Sequence, residues 1–66
     1  MKNNTNLTVS IIGGAGHIGL PLGLLLKNKR VNVTLIDINK KNIDKIKNKK
    51  MPFYEQGAQS LLDKGI

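Results

Sequence analysis

The chain has 66 residues and a formal net charge of +7 at neutral pH, and it contains no cysteine. The absence of cysteine excludes disulfide bonds, a cysteine-based metal site and a thiol nucleophile among these residues, and it favours a cytoplasmic location. A chain of this length buries only about 60% of its unfolded surface, so at most one small domain of low independent stability is expected.

The first predicted element is a strand over residues 7–12, which follows a polar segment, residues 1–6, that is expected to fray. The strand is almost continuously apolar and rich in β-branched side chains. This pattern is typical of a parallel strand that is covered on both faces, so it predicts a helix on each side of the sheet.

A glycine-rich turn leads from this strand into a helix predicted over residues 16–28. Isoleucine and leucine occupy almost the whole circumference of that helix, which predicts that it is largely buried. Pro21 is compatible with the helix because it lies near the start, where a missing N–H costs little. Gly23 lies one helical turn after Gly19 and leaves a smooth patch that would let a neighbouring element approach closely.

The second half of the chain predicts one further strand and two helices. Alternating apolar and polar residues indicate a strand over residues 31–36. Asn39 is a favourable N-cap for a helix over residues 40–48, which has a thin apolar stripe among many lysines. Pro52 ends that region, and a short helix is expected over residues 58–64.

The turn before the first helix has the glycine spacing of a dinucleotide-binding loop. Gly14 is expected to permit the tight turn, Gly16 to let backbone N–H groups reach a diphosphate, and Gly19 to let the helix lie close against the sheet. The diphosphate would sit at the first helical turn, where unpaired N–H groups and the helix dipole favour negative charge, and His17 would contribute its backbone N–H. The candidate cofactor-binding residues in the turn are Gly14, Ala15, Gly16, His17, Ile18 and Gly19.

An acid, Asp37, follows the second predicted strand and is 18 residues beyond Gly19. A carboxylate at the carboxyl end of this strand accepts hydrogen bonds from the adenosine ribose and repels a 2′-phosphate. Asp37 is therefore a further candidate cofactor ligand and predicts NAD rather than NADP, a preference that Lys40 and Lys41 weaken. We predict no catalytic residue and no metal ligand in the chain.

The order of elements predicts an α/β fold, namely the N-terminal βαβα part of a Rossmann doubly wound parallel sheet. A complete sheet of this type needs about 100 residues or more. Residues 1–66 are therefore interpreted as a fragment, a partial NAD-binding Rossmann domain.

Neither nucleic acid nor membrane is an expected partner. The basic residues cluster at 27–30 and 40–50, and the adjacent aromatic residues Phe53 and Tyr54 lie outside both clusters and are expected to pack rather than stack on bases. Residues 9–26 carry no charge, but their five glycines and their change from strand to helix periodicity argue against a membrane span.

Three sequence blocks resemble the amino terminus of the nucleotide-sugar 6-dehydrogenases, the family that acts on UDP-glucose, UDP-N-acetylmannosamine and GDP-mannose. The first block is the glycine turn followed by Gly-Leu-Pro-Leu, residues 19–22, and the second is Asp-Ile-Asn, residues 37–39. The third is Pro-Phe-Tyr-Glu-Gln-Gly, residues 52–57, which is similar to a Pro-x-x-Glu-Pro-Gly loop of that family.

The resemblance implies an enzyme that oxidises the C6 alcohol of a nucleotide sugar to a carboxylate with two NAD and a thioester on a cysteine. It favours a UDP-sugar over a GDP-sugar as the substrate, a role in polysaccharide biosynthesis and a homo-oligomeric parent protein. The nucleophilic cysteine of such enzymes lies far downstream, so the fragment alone is expected to be inactive.

The chain departs from the family pattern at five positions. Gln56 and Ala58 replace the usual proline and leucine, a difference compatible with a subgroup that uses a different sugar. Arg30 and Lys49 stand where glycines commonly end the helices, so Asn28 and Asn48 are expected to supply the left-handed residue instead. Asn42 replaces an arginine that is often found five residues after the acid and contacts the adenosine side, so that contact is in doubt.

Two alternatives use the same glycine turn. Gly13, Gly16 and Gly19 also fit a G-x-x-G-x-x-G pattern that resembles the nucleotide-sugar epimerases of the extended short-chain dehydrogenase family. A non-catalytic nucleotide-sensing domain could also be built on this turn and Asp37. The loop at residues 52–57 favours the 6-dehydrogenases over both alternatives.

Overall fold

A computed structural model describes residues 7–65, which form two parallel strands and three helices. The elements in chain order are β1 (Thr8–Ile12), α1 (Gly19–Asn28), β2 (Asn32–Ile36), α2 (Lys40–Lys47) and α3 (Ala58–Asp63). This is the α/β fold that the sequence predicts. The segment predicted to fray, residues 1–6, lies outside the described residues, as does residue 66.

The two strands pair in parallel, and α1 makes the crossover between them. The register runs from Thr8 opposite Asn32 to Ile12 opposite Ile36, so both strands end at the same edge of the sheet. At Gly23 of α1, an added Cβ would lie only 2.9 Å from a methyl group of Leu35. The helix therefore lies close against the sheet at the smooth patch that the sequence predicts.

One core joins the three helices to one face of the sheet. Leu20 and Leu24 of α1 pack against Leu62 of α3, and all three side chains are almost fully buried. Leu35 of β2 packs against this core from the sheet. No helix within residues 7–65 is long and apolar enough to cross a membrane.

The burial predicted for α1 and for the sheet is wrong in part. Leu22 and Leu25 of α1 are 47% and 53% exposed, and Ile18 just before the helix is 83% exposed. Ile12, on the sheet face that points away from the core, is 85% exposed. The reason is that the three helices share one core on a single face, so the described residues cover neither the other face nor the far side of α1.

The helix α1 begins at Gly19, three residues later than the glycine spacing predicts. The N–H of Gly16 donates to the carbonyl of Gly13 at 3.0 Å, so this peptide closes a turn and does not start the helix. Pro21 is consequently the third residue of the helix, and its missing N–H removes the bond to the His17 carbonyl that would lie between the Leu20–Gly16 and Leu22–Ile18 bonds, a loss that is tolerated near a helix start.

Arg30 and Lys49, not the asparagines, adopt the left-handed conformation after their helices. Their φ angles are +67° and +59°, whereas Asn28 is a helical residue and Asn48 has a φ of −90°. The prediction that Asn28 and Asn48 fill this role is therefore wrong.

The reason is the hydrogen bonding that ends each helix. At the end of α1 the N–H of Val31 donates to the carbonyl of Leu26 at 3.1 Å, and the N–H of Arg30 donates to the carbonyl of Lys27 at 2.9 Å. This pair of bonds, the Schellman motif, requires a left-handed residue at the position of Arg30, whatever its side chain. An equivalent pair of bonds ends α2 and places Lys49 in the same conformation.

Candidate cofactor-binding site

The glycine turn is fixed to the end of β2 by two hydrogen bonds. The N–H groups of Gly13 and Gly14 both donate to the carbonyl of Ile36, at 2.7 and 3.0 Å. The positive φ of the turn, +77°, belongs to Gly13. Gly14 is required for a different reason, since a Cβ there would lie 2.8 Å from the Cβ of Leu35.

The two other glycines of the turn also differ in what surrounds them. A Cβ at Gly16 would approach only the carbonyl oxygen of Gly13, at 3.3 Å. A Cβ at Gly19 would overlap that same oxygen and crowd the backbone of Gly14. Gly19 therefore allows the helix to start against the turn, and the close contact with the sheet that was predicted for it occurs one turn later, at Gly23.

The start of α1 presents backbone N–H groups that have no acceptor. The carbonyl of Gly16 accepts from the N–H of Leu20 at 3.0 Å. Because the C=O and N–H of a trans peptide point in opposite directions, the N–H of His17 points away from the helix. Within residues 7–65, neither this N–H nor that of Ile18 donates to another protein atom.

No side chain caps the free N–H groups at the first turn of α1. Its N-cap residue, Ile18, offers no acceptor, and the turn contains no acidic residue. In α2, by contrast, the side-chain oxygen of Asn39 accepts from the N–H of Asn42 at 3.0 Å. An uncapped helix start with free N–H groups and the positive end of the helix dipole fits a diphosphate.

The carboxylate of Asp37 lies beside the glycine turn. Its Oδ2 accepts from the N–H of Ala15 at 3.0 Å, and its Oδ1 accepts from the N–H of Asn39 at 2.8 Å. The N–H of Asn39, then that of Ala15, lower the pKa of Asp37 below its ordinary value; partial burial opposes them, and the N–H of Ile38 adds a smaller lowering. The group is half-exposed and ionised, and each oxygen keeps a lone pair for a hydroxyl donor.

The structure thus brings the seven predicted site residues together but divides their roles. The N–H groups of Gly14, Ala15 and Gly16 are used within the protein, by Ile36, Asp37 and Gly13 respectively. Those of His17, Ile18 and Gly19 have no acceptor within residues 7–65 and remain available to a ligand.

Two contacts to the turn were not predicted from the sequence. Asn42 donates from its side-chain Nδ2 to the carbonyl of Ala15 at 3.2 Å, and the ring of Phe53 stacks on that of His17 with centroids 4.1 Å apart. The position of Asn42 three residues after the N-cap Asn39 is a signal that could have placed it near the turn. No comparable signal links His17 to Phe53, which are separated by most of the fold.

The comparison with known proteins decides between the alternatives left by the sequence. The NAD binding domain of the UDP-glucose/GDP-mannose dehydrogenase family matches residues 7–66. The chain belongs to this family. The match confirms NAD as the cofactor of the domain, and it favours the dehydrogenase interpretation over an epimerase or a nucleotide-sensing domain.

Two relatives of this dehydrogenase domain have assigned activities. They are the UDP-N-acetyl-D-mannosamine dehydrogenases of Methanococcus maripaludis strains S2 and C7, each 36% identical to the chain over 53 residues. The aligned residues are 80% of this chain but only 12% of each relative, so the chain corresponds to a small part of those enzymes. No solved structure matches the chain significantly.

Proposed function

We propose that this chain is the part of a nucleotide-sugar dehydrogenase that binds the diphosphate and the adenosine ribose of NAD. In this proposal the free N–H groups of His17 and Ile18 donate to the diphosphate, which has room to approach because Gly16 has no side chain. Asp37 accepts from the ribose hydroxyls. The single observation that supports it most strongly is the ionised Asp37 carboxylate within 3.0 Å of the turn that carries those free N–H groups.

The proposed reaction of the whole enzyme is oxidation of the C6 alcohol of a UDP-sugar to a carboxylate. The printed names of the two relatives, both UDP-N-acetyl-D-mannosamine dehydrogenases, support a UDP-sugar over a GDP-sugar. NAD supplies the hydride acceptor when it is bound, and the residues of this chain hold and orient it. We assign no proton transfer or nucleophilic step to these residues, and we propose a cytoplasmic, homo-oligomeric enzyme.

Replacement of Asp37 tests the proposal in the whole enzyme. Asp37→Ala removes the ribose acceptor and the negative charge that repels a 2′-phosphate. We expect the KM for NAD to rise about tenfold and the preference for NAD over NADP to narrow, as measured by steady-state kinetics with both cofactors.

Asp44→Ala is the matched control, because it removes the same charge from an exposed position on the neighbouring helix α2. It should leave both KM values unchanged. Unaltered NAD kinetics in Asp37→Ala, or an equal change in the two variants, would contradict the assignment of Asp37.

A further inference from the structure

Four hydrogen bonds close a ring that links the start of α2 to the glycine turn. Asp37 accepts from the N–H of Asn39 at 2.8 Å, and the side chain of Asn39 accepts from the N–H of Asn42 at 3.0 Å. The side chain of Asn42 then donates to the carbonyl of Ala15 at 3.2 Å, and the N–H of Ala15 returns to Asp37 at 3.0 Å. Ala15 is fully buried at the centre of the turn.

The ring holds Ala15 through both of its backbone polar groups. The carbonyl of Ala15 shares a peptide plane with the N–H of Gly16, which donates to the carbonyl of Gly13 at 3.0 Å. That plane is therefore fixed at one end by Gly13 and at the other end by the Asn42 side chain. The next two peptides along the chain carry the free N–H groups of His17 and Ile18.

Gly16 has no side chain to restrict its backbone, so the direction of those N–H groups depends on hydrogen bonds of the neighbouring peptides, one of which joins the Gly16 carbonyl to the N–H of Leu20 at 3.0 Å. On the plane that precedes Gly16, the bond to Gly13 is one restraint, and a second comes from outside the turn. Asn42 is the side chain that supplies it at the Ala15 carbonyl, across 27 residues of sequence.

We propose that Asn42 is a positioning residue for the cofactor diphosphate. It acts through the Ala15 carbonyl, holds the Ala15–Gly16 peptide, and thereby aims the N–H groups of His17 and Ile18 at the ligand. The proposal rests on the proposed function of the turn, and it gives Asn42 a role that is distinct from any contact with the adenosine side.

The test compares two asparagine-to-alanine variants of the whole enzyme. Asn42→Ala removes the donor to Ala15. Asn48→Ala is the control, since Asn48 lies at the other end of α2 and also donates from Nδ2 to a backbone carbonyl, that of Asp44, at 2.9 Å. The measurements are KM for NAD, kcat, and inhibition constants of ADP and of adenosine, which has no phosphate.

We expect Asn42→Ala to raise the KM for NAD and the inhibition constant of ADP by about threefold to tenfold, the range of one hydrogen bond. The inhibition constant of adenosine, and kcat at saturating NAD, should stay within about twofold of wild type, and Asn48→Ala should change none of the four values. A merely structural role would lower the thermal stability of Asn42→Ala without separating ADP from adenosine.

Two results would overturn the proposal. One is an equal loss for adenosine and ADP, which would place the effect of Asn42 on the adenosine side. The other is an Asn42→Ala variant that matches Asn48→Ala in every value. If Asp37→Ala still raises the KM for NAD in that case, only the role of Asn42 fails. If Asp37→Ala also has no effect, the proposed function fails with it.

Discussion

At the residue scale, Asp37 has two tasks, one in holding the glycine turn and one in binding the ribose. Its two oxygens accept from Ala15 and Asn39, so the acid holds the glycine turn against the start of α2. Its oxygens keep further lone pairs, which are the ones we assign to the ribose. One carboxylate can do both because ionised oxygens accept more than one hydrogen bond each.

The lowered pKa of Asp37 predicts how its contribution to stability depends on pH. Hydrogen bonds from Asn39 and Ala15 favour the charged form in the folded state, so the folded pKa lies below the unfolded value of 3.8. The stabilisation is therefore complete above that value and is lost as pH falls through the folded pKa. Urea unfolding of wild type and Asp37→Asn should show a constant difference in stability from about pH 7 to about pH 5 and a shrinking one below about pH 4.

The Asp37→Asn variant cannot titrate at this position, so the difference between the two proteins isolates the carboxylate. A difference that grows as the pH falls below 3.8 would show that the folded state favours the protonated acid and would contradict the hydrogen-bond assignment.

Gly16 and Gly19 should respond differently to the same substitution. Gly19→Ala places a methyl group onto the Gly13 carbonyl, so it should lower the free energy of unfolding by about 1–3 kcal/mol. Gly16→Ala meets only a 3.3 Å contact and should cost less than about 1 kcal/mol, but its methyl group would occupy the approach assigned to the diphosphate. Thermal or urea unfolding and NAD titration of both variants in the whole enzyme provide the comparison.

The test compares the loss of stability with the loss of NAD affinity in each variant. Gly16→Ala should bind NAD more weakly than its small loss of stability explains. If Gly16→Ala binds NAD as wild type does, the diphosphate does not pass over Gly16.

At the element scale, α1 and α2 are each followed by a non-glycine residue, Arg30 and Lys49, in the left-handed conformation, which non-glycine residues disfavour. A non-glycine residue in the left-handed region costs about 1–2 kcal/mol, and glycine avoids this cost but loses about 0.5–1 kcal/mol in unfolded-state entropy. Arg30→Gly should therefore raise the free energy of unfolding by about 0.5–1 kcal/mol, as measured by urea unfolding.

Lys29→Gly is the control for this gain, because Lys29 precedes Arg30 and has a φ of −94°, which any residue can adopt. It should be neutral or lower the stability by up to about 1 kcal/mol. Stabilisation by Lys29→Gly, or destabilisation by Arg30→Gly, would contradict the explanation based on the left-handed conformation.

The sequence predicted the elements from signals that are local in the chain. The apolar run of β1, the alternation of β2 and the Asn39 cap are each contained in a few residues, and each corresponds to an element or cap in the structure. The helix ends show the limit of this approach. The conformation of Arg30 is set by which carbonyls remain to be bonded, so the preference of one side chain for or against it carries little weight.

The details of the candidate site depend on contacts between distant parts of the chain. The glycine spacing indicated the turn, but which N–H groups remain free depends on the Ile36 carbonyl and on Asp37, more than 20 residues away. The N-cap spacing places Asn42 near the start of α2, but its bond to Ala15 depends on the distant turn, and no local signal predicts the contact of Phe53 with His17.

At the scale of the whole molecule, the described residues form a sheet that is covered on one face only. The uncovered face is polar at its amino end, Thr8 and Asn32, and in its middle, Ser10 and Thr34, and it is apolar at its carboxyl end. There Ile12 and Ile36 lie side by side in register and are 85% and 48% exposed. An apolar pair at the edge that carries the glycine turn is poorly suited to contact with water.

The two relatives are about eight times longer than the aligned segment, which occupies 12% of their length, so a protein of their length would have ample chain to cover this pair. If it does, Ile12→Ser in the whole protein should lower the free energy of unfolding by about 1–2 kcal/mol, the cost of removing a buried branched side chain. Ser10→Ala, on the same strand and face, is the control and should change the stability by less than about 0.5 kcal/mol. Urea unfolding of the three proteins distinguishes the cases, because an Ile12→Ser effect as small as that of Ser10→Ala would mean that this face of the sheet stays in contact with water.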